Sequence, residues 1–344
     1  MNDKLIDSFS HSFFQNAPFI FICLGITCES LATSGFSAFL AKLIHLQFHV
    51  TEGDSSLYTG ATIIPGAALG VLMGGYLVKR YDWDCQQILR FCTVVAFVAA
   101  LCLSIFLVGC DGRRVEGQLD ESQMVQRGSF MRRHNFSNTC NRECGCTEQY
   151  YKPICSVEDQ KTYFSPCHAG CRKNNSRIQL RTEMGVKEVL YNCSCFSTNV
   201  TQAVQGACTE PCTLLPLFAV GLVVTMFLTF LNNIPLVIAI LRVATAGQGS
   251  FALGLGQVFF RFLGFVPGPI MFGALIDMSC VLWQRDICSE ETSNCLEYDQ
   301  ENFRYYIFAG GITTKLASFV FIFLAYKTYK LPQKSPETVV GSGG

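Results

Sequence analysis

The chain has 344 residues, 50% of them hydrophobic and 15% charged, and its 26 basic and 26 acidic side chains cancel to a net charge of zero. Composition of this kind excludes a disordered chain, and it gathers no basic face or recognition motif for nucleic acid. It is also too apolar for an ordinary soluble domain, so much of the chain must face a lipid bilayer.

Residues 1–16 are polar and mixed, and the apolar run that follows is too long for a signal core, so no cleavable signal peptide is expected and the first span serves as the insertion signal. A helix needs about 20 apolar residues to cross a 30 Å hydrocarbon layer. Six stretches meet that length, at residues 18–47, 57–78, 88–108, 214–241, 251–276 and 305–326. The second repeats glycine every fourth residue at Gly66, Gly70 and Gly74, with Gly75 beside the last. That spacing predicts a groove where another helix can approach closely. Cys23, Cys28, Cys85, Cys92 and Cys102 fall in apolar or cytoplasmic segments and read as reduced packing residues.

Between the third and fourth spans lies a polar stretch dense in cysteine, carrying Cys140, Cys144, Cys146, Cys155, Cys167, Cys171, Cys193, Cys195, Cys208 and Cys212. Such a segment is too polar for a large apolar core and needs covalent staples. It also holds four Asn-x-Ser/Thr acceptors, at Asn135, Asn174, Asn192 and Asn199, which belong to the secretory route. The stretch is therefore expected outside the cell as a disulfide-bonded, N-glycosylated domain. Zinc binding is the rival reading of clustered cysteines, but Cys144-Gly-Cys146 and Cys193-Ser-Cys195 are spaced by one residue, not by the two to four usual for zinc pairs.

In the fourth span Pro235 follows Asn232 and Asn233, and in the fifth Pro267 and Pro269 accompany Gly264 and Gly268. Proline lacks a backbone donor, so both helices are expected to bend or break there. Ordinary packing notches and kinks account for these features; so does a bundle whose bent helices rock and line a substrate cavity. The last external loop holds Cys280, Cys288 and Cys295, an odd number, so one of them is available to cross-link to the central domain; Cys110 makes the external total even. Lys79, Arg80, Arg90, Arg242, Lys327, Lys330 and Lys334 flank span ends opposite the glycosylated stretch, which puts both termini in the cytoplasm.

The run Lys152-Pro-Ile-Cys155, followed by Tyr163, Cys167 and Cys171 and closing at Cys193, resembles a Kazal-type disulfide module. The family's Asp/Asn-Gly before the tyrosine reads Asp159-Gln160 here, a point at which the turn can differ. By resemblance the protease-directed loop would be residues 147–154, with Glu148 as its specificity residue; an acidic residue there suits few proteases, and a structural or recognition role is favoured. The whole arrangement is similar to the carboxy-terminal half of an organic anion transporting polypeptide, a solute carrier of the major facilitator superfamily. Further matching residues are Glu29-Ser30 with Ser34-Gly35-Phe36, Gly74-Gly75-Tyr76 with Lys79-Arg80, the run Tyr163 to Cys171, and Pro267-Gly-Pro269 with Phe272 to Asp277.

The resemblance implies an all-α polytopic fold, half of a major facilitator bundle: three helices in 1–110 equivalent to spans seven to nine, a Kazal-like external domain in 111–212, three helices in 213–330 equivalent to spans ten to twelve, and a cytoplasmic tail in 331–344. It implies a plasma-membrane carrier that takes up or exchanges large amphipathic organic anions, such as bile salts, steroid conjugates and thyroid hormones, without sodium. Family members have twelve spans and a tryptophan-rich signature near the sixth; here Trp83 and Trp283 are the only tryptophans, which leaves three readings open: a fragment, a truncated isoform, or one component of an assembly whose partner would be an amino-terminal six-span half.

Transport is weighed against a different class, a cell-surface display or adhesion protein whose spans only anchor the external domain. Glu29, Arg261 and Lys315 discriminate, because an anchor has no need of charges whose burial in a membrane costs several kcal/mol. They are the expected substrate-binding residues: Glu29 neutralises at most one of the two cations, and the resemblance associates the Arg261 position with substrate handling. His45 and His49 lie four apart at an external boundary, but no third ligand accompanies them and interfacial side chains explain them. No catalytic constellation, phosphate loop or cofactor motif is found, so the chain does not read as an enzyme.

Overall fold

The computed structural model describes residues 16–110, 138–147, 151–171, 177–182, 185–190, 193–196, 203–208, 212–244, 249–285 and 292–329. Its helices are α1 (Ala17–Phe48), α2 (Glu52–Tyr81), α3 (Cys85–Cys102, extended by a 3-10 turn Leu103–Leu107), α4 (Leu215–Leu231), α5 (Asn233–Val243), α6 (Gly249–Phe259), α7 (Pro267–Asp277) and α8 (Gln300–Thr328). Among the described residues, six units are long and apolar enough to cross a membrane: α1, α2, α3 with its turn, α4 with α5, α6 with α7, and α8. They coincide with the six expected spans. The protein is a polytopic helical membrane protein carrying a disulfide-rich domain.

Local chemistry sets the helix ends. Thr51 accepts a hydrogen bond from the Asp54 amide at 3.2 Å to open α2, Asp84 and Gln87 form a capping box on α3, and Asp299 caps α8 by accepting from the Glu301 and Asn302 amides. Large apolar side chains on the outer faces stay uncovered, among them Leu72 at 70% and Ile64 at 69% exposure. Such a belt is favourable in hydrocarbon and costly in water.

Both expected helix breaks occur where proline removes a donor. Pro235 cannot bond the Leu231 carbonyl one turn back, and α4 gives way to α5 at Asn232. Pro267 and Pro269 open α7, and before it residues Phe260–Phe265 form a π turn in which the Val266 amide reaches back to the Arg261 carbonyl at 3.1 Å. The glycine groove of α2 is filled by α4: a Cβ on Gly66 would lie 2.9 Å from the Val223 carbonyl oxygen, and one on Gly70 2.5 Å from that of Phe227. Gly264 meets α1 in the same way, 2.7 Å from Ser30 Cβ.

The disulfide-rich domain holds β1 (Ile154–Ser156), β2 (Lys161–Tyr163), β3 (Arg177–Thr182), β4 (Gly185–Leu190) and β5 (Ala203–Gln205) in an antiparallel sheet of order β2-β1-β5-β4-β3. Its apolar core is small, built on Ile154, Tyr163, Ala169, Phe196 and Ala203. Disulfides join Cys140 to Cys195, Cys146 to Cys167, Cys155 to Cys208 and Cys171 to Cys193, while Cys110–Cys212 fastens the domain to the ends of the third and fourth spans. Nine of the ten central cysteines pair among the described residues, and the expected partner of the tenth, Cys144, is not among them. Cys144 ends the 3-10 turn Arg142–Cys144, and Gly145, at φ 59°, swings the chain so that Cys146 takes Cys167 and leaves the Cys144 thiol half-exposed and unpaired among the described residues. The turn before β2 is closed by Gln160 at φ 49°, a side-chain-bearing residue in the left-handed region.

A second hairpin, β6 (Cys280–Arg285) with β7 (Thr292–Tyr298), joins α7 to α8 and is closed internally by Cys280–Cys295. It docks on the disulfide-rich domain, where Tyr151 donates to Glu297 Oε2 at 2.6 Å and Leu282 packs on Phe164. Asn135, Asn174, Asn192 and Asn199, Glu148, Cys288 and the tail 331–344 lie outside the described residues.

Candidate functional site

The helices pack through two apolar clusters. One gathers Phe19 and Ile22 of α1 with Ile322 and Ala325 of α8; the other gathers Phe36 and Leu40 of α1 with Phe303 and Ile307 of α8. Between them lies one polar layer. Lys315, 2% exposed, donates to Glu29 Oε2 and to Thr229 Oγ1, the latter at 2.9 Å. Close helix packing on both sides makes the pairing possible. A Cβ on Gly25 would lie 2.9 Å from Ile322 Cγ1, and one on Gly311 would lie 2.5 Å from Phe36 Cζ, so α1 and α8 approach on either side of the pair. Desolvating both charges is tolerable only because each has its partner at hydrogen-bond range.

Beside the pair a partly open cavity of about 100 Å³ is bounded by α1, the α4–α5 break and the π turn. Glu29, Ser30, Thr33, Thr229, Asn232 and Asn233 give it polar walls, and Phe230, Leu236 and Phe265 are among its apolar ones. Asn232 is 2% exposed and donates through Nδ2 to the Cys92 carbonyl at 3.2 Å, which ties the helix break to α3.

Of the three charged residues singled out in the sequence, Glu29 and Lys315 meet and Arg261 stands apart. Arg261 lies on the π turn with its side chain exposed and makes no ion pair among the described residues. Thr229 and Asn232 were not singled out as site residues. Their signal was present as polar side chains inside an apolar helix, with Asn232 just before a proline. His45 and His49 end α1: His45 Nδ1 donates to the Val50 carbonyl at 2.7 Å and His49 Nε2 lies 3.4 Å from Gln300 Oε1. Among the described residues no group of three His, Cys, Asp or Glu side chains could hold a metal ion.

Six apolar spans around an ion pair buried at mid-bundle define a class, the polytopic membrane proteins with a polar interior. Comparison with known proteins narrows it. The profile of the Organic Anion Transporter Polypeptide (OATP) family matches residues 4–303, and the chain belongs to that family. It is similar to solute carrier organic anion transporter family member 4C1 of Mus musculus, 33% identical over 332 residues that cover 94% of this chain and 44% of that protein. Member 4A1 of Mus musculus is 32% identical over 334 residues, with 95% and 44% covered. Member 1C1 of Homo sapiens is 29% identical over 349 residues, with 97% and 47% covered. The chain thus spans less than half the length of these curated relatives.

Proposed function

We propose that this chain acts as one half of a twelve-span carrier that moves large amphipathic organic anions, such as bile salts, steroid conjugates and thyroid hormones, by sodium-independent uptake or exchange. Family membership supports the substrate class. The observation that carries the reading within this chain is the unequal state of its two mid-span cations: Lys315 is buried and neutralised by Glu29, and Arg261 is exposed on the π turn and not neutralised by any described residue. Arg261 lies roughly 18 Å along its span at 1.5 Å per residue, and a guanidinium cannot shed its proton. An uncompensated cation at that depth needs an anion, and a planar fork suits carboxylates and sulfates.

In this reading the amino-terminal six-span half faces the polar layer, the Kazal-like domain is extracellular and glycosylated at Asn135, Asn174, Asn192 and Asn199, both termini are cytoplasmic in the plasma membrane, and solute gradients drive the cycle. The test replaces Arg261 by Lys and by Ala in the complete carrier and follows uptake of an anionic steroid conjugate at matched surface level. Lys keeps part of the uptake, retaining charge without bidentate geometry, and Ala loses most of it. Full uptake by the Ala variant removes Arg261 from the substrate path.

A further inference from the structure

We infer that the hairpin β6–β7 couples the disulfide-rich domain to the Lys42 ammonium on α1: one face of β7 is held by the domain and the other holds the cation, which makes Glu297 and Tyr298 positioning residues for Lys42. The inference stands apart from the transport reading, since it concerns how the ammonium is held and not what the protein carries.

Neighbouring residues on a strand point to opposite faces. Glu297 and Tyr298 are neighbours on β7, and they reach different parts of the molecule. Glu297 Oε2 accepts from the Tyr151 hydroxyl at 2.6 Å. Leu282, the cross-strand partner of Glu297, packs on Phe164 of the same domain, so the two present one patch. The domain side of this contact is firm. Phe164 is fully buried, its ring centre lies 5.2 Å from that of Tyr151 and 5.0 Å from that of His168, and its carbonyl accepts from the Lys152 amide at 3.2 Å. Tyr298 turns the other way, into an apolar cluster of the bundle, where it meets Phe303 edge-on at 5.7 Å. Its hydroxyl accepts from Lys42 Nζ at 2.6 Å, and the same nitrogen lies 4.0 Å from its ring centre.

Lys42 lies in the last two turns of α1, which ends at Phe48, and it makes no ion pair among the described residues. An ammonium held by a phenol in place of a carboxylate stays uncompensated, and its place depends on that ring. The ring depends in turn on a hairpin with little freedom of its own. Cys280–Cys295 closes the hairpin, the Asp299 amide bonds the Ser279 carbonyl at 2.9 Å across its base, and its strands run directly from α7 and into α8. Cys110–Cys212 fixes the domain itself to the third and fourth spans. A displacement of the domain therefore reaches Lys42 through a stapled strand pair and not through a loose loop.

The test is limited acetylation of the purified full chain with N-hydroxysuccinimidyl acetate, scored at Lys42 by peptide mass spectrometry, with Lys327 near the end of α8 as the reference. Lys42 is partly exposed, so the reagent reaches it, and the Tyr298 ring shields one side of the nitrogen. Tyr298→Phe keeps the ring and loses the acceptor, and Lys42 should then react about three- to tenfold faster, the range that one hydrogen bond spans. Tyr151→Phe and Leu282→Ala loosen only the face turned to the domain, and each should raise the Lys42 rate about threefold. Glu297→Gln keeps an acceptor for Tyr151 and should leave the rate unchanged. Each variant is first matched to the unaltered protein in helical circular dichroism, and either of the two domain-face variants suffices where the other does not fold. A Lys42 rate that stays at its unaltered value in the domain-face variants, or in Tyr298→Phe, overturns the inference. An equal rise at Lys327 also overturns it, because the whole bundle would then have loosened.

Discussion

Replacing Gly70 and Gly75 by alanine, one at a time, should move stability in opposite directions although the two positions lie on one helix. Alanine in a helix interior gains about 0.5–1 kcal/mol over glycine. At Gly75 the new methyl would meet only Ile234 Cγ2, at 3.6 Å, an ordinary contact, so the gain should survive. At Gly70 it would sit 2.5 Å from the Phe227 carbonyl oxygen and 3.0 Å from the Leu231 amide nitrogen. Those are backbone atoms and cannot rotate aside, so α2 and α4 must part by roughly an ångström along a seam that Gly66 and Gly74 share. Overpacking of this kind costs about 1–3 kcal/mol, which outweighs the propensity gain. Unfolding of the purified protein in denaturing detergent, followed by helical circular dichroism, reads both. Gly75→Ala should match or exceed the unaltered protein and Gly70→Ala should fall below it; shifts of the same sign and size would refute the close approach of α2 and α4.

Lys315→Met should cost about 3–5 kcal/mol in the same assay, because it strands Glu29 in the bundle, while adding Glu29→Gln should recover much of the loss; simple addition of the two single effects would deny that the pair is coupled. Cys195→Ser removes the Cys140–Cys195 link, which closes a sequence separation of 55 residues, and should cost the disulfide-rich domain about 2–5 kcal/mol and retain the protein inside the cell.

Span positions were legible because bilayer thickness fixes the length of an apolar run, and Pro235 and Pro267 announced the helix breaks because a missing donor acts locally. The glycine spacing at Gly66, Gly70 and Gly74 foretold a close helix contact, though not that α4 would fill it. Tertiary pairing was less accessible. Glu29 and Lys315 lie 286 residues apart, and their meeting depends on Gly25 and Gly311 letting α1 and α8 approach, which no local pattern encodes. Arg261 was expected to bind substrate together with Lys315, yet the two do not meet. The π turn intervenes: each such turn inserts an extra residue into the helical register and changes the face a side chain presents, with no compositional mark to reveal it. Cys144 and Cys146 flank Gly145 at a spacing that does not say which of them pairs with Cys167; in the fold it is Cys146. Asn232 was read as part of a break and not as a cavity wall, because its exposure and its bond to Cys92 are properties of the packed bundle.

The central claim is the proposal that the complete carrier moves organic anions. The most direct measurement is uptake of a radiolabelled steroid sulfate, beside its neutral parent, by cells displaying the complete carrier, with choline exchanged for sodium in a parallel set. The account predicts saturable uptake of the sulfate that survives removal of sodium, with the neutral parent entering only by unsaturable diffusion. Uptake of the sulfate that never rises above that of untransfected cells at a verified surface level, or that vanishes without sodium, would contradict it.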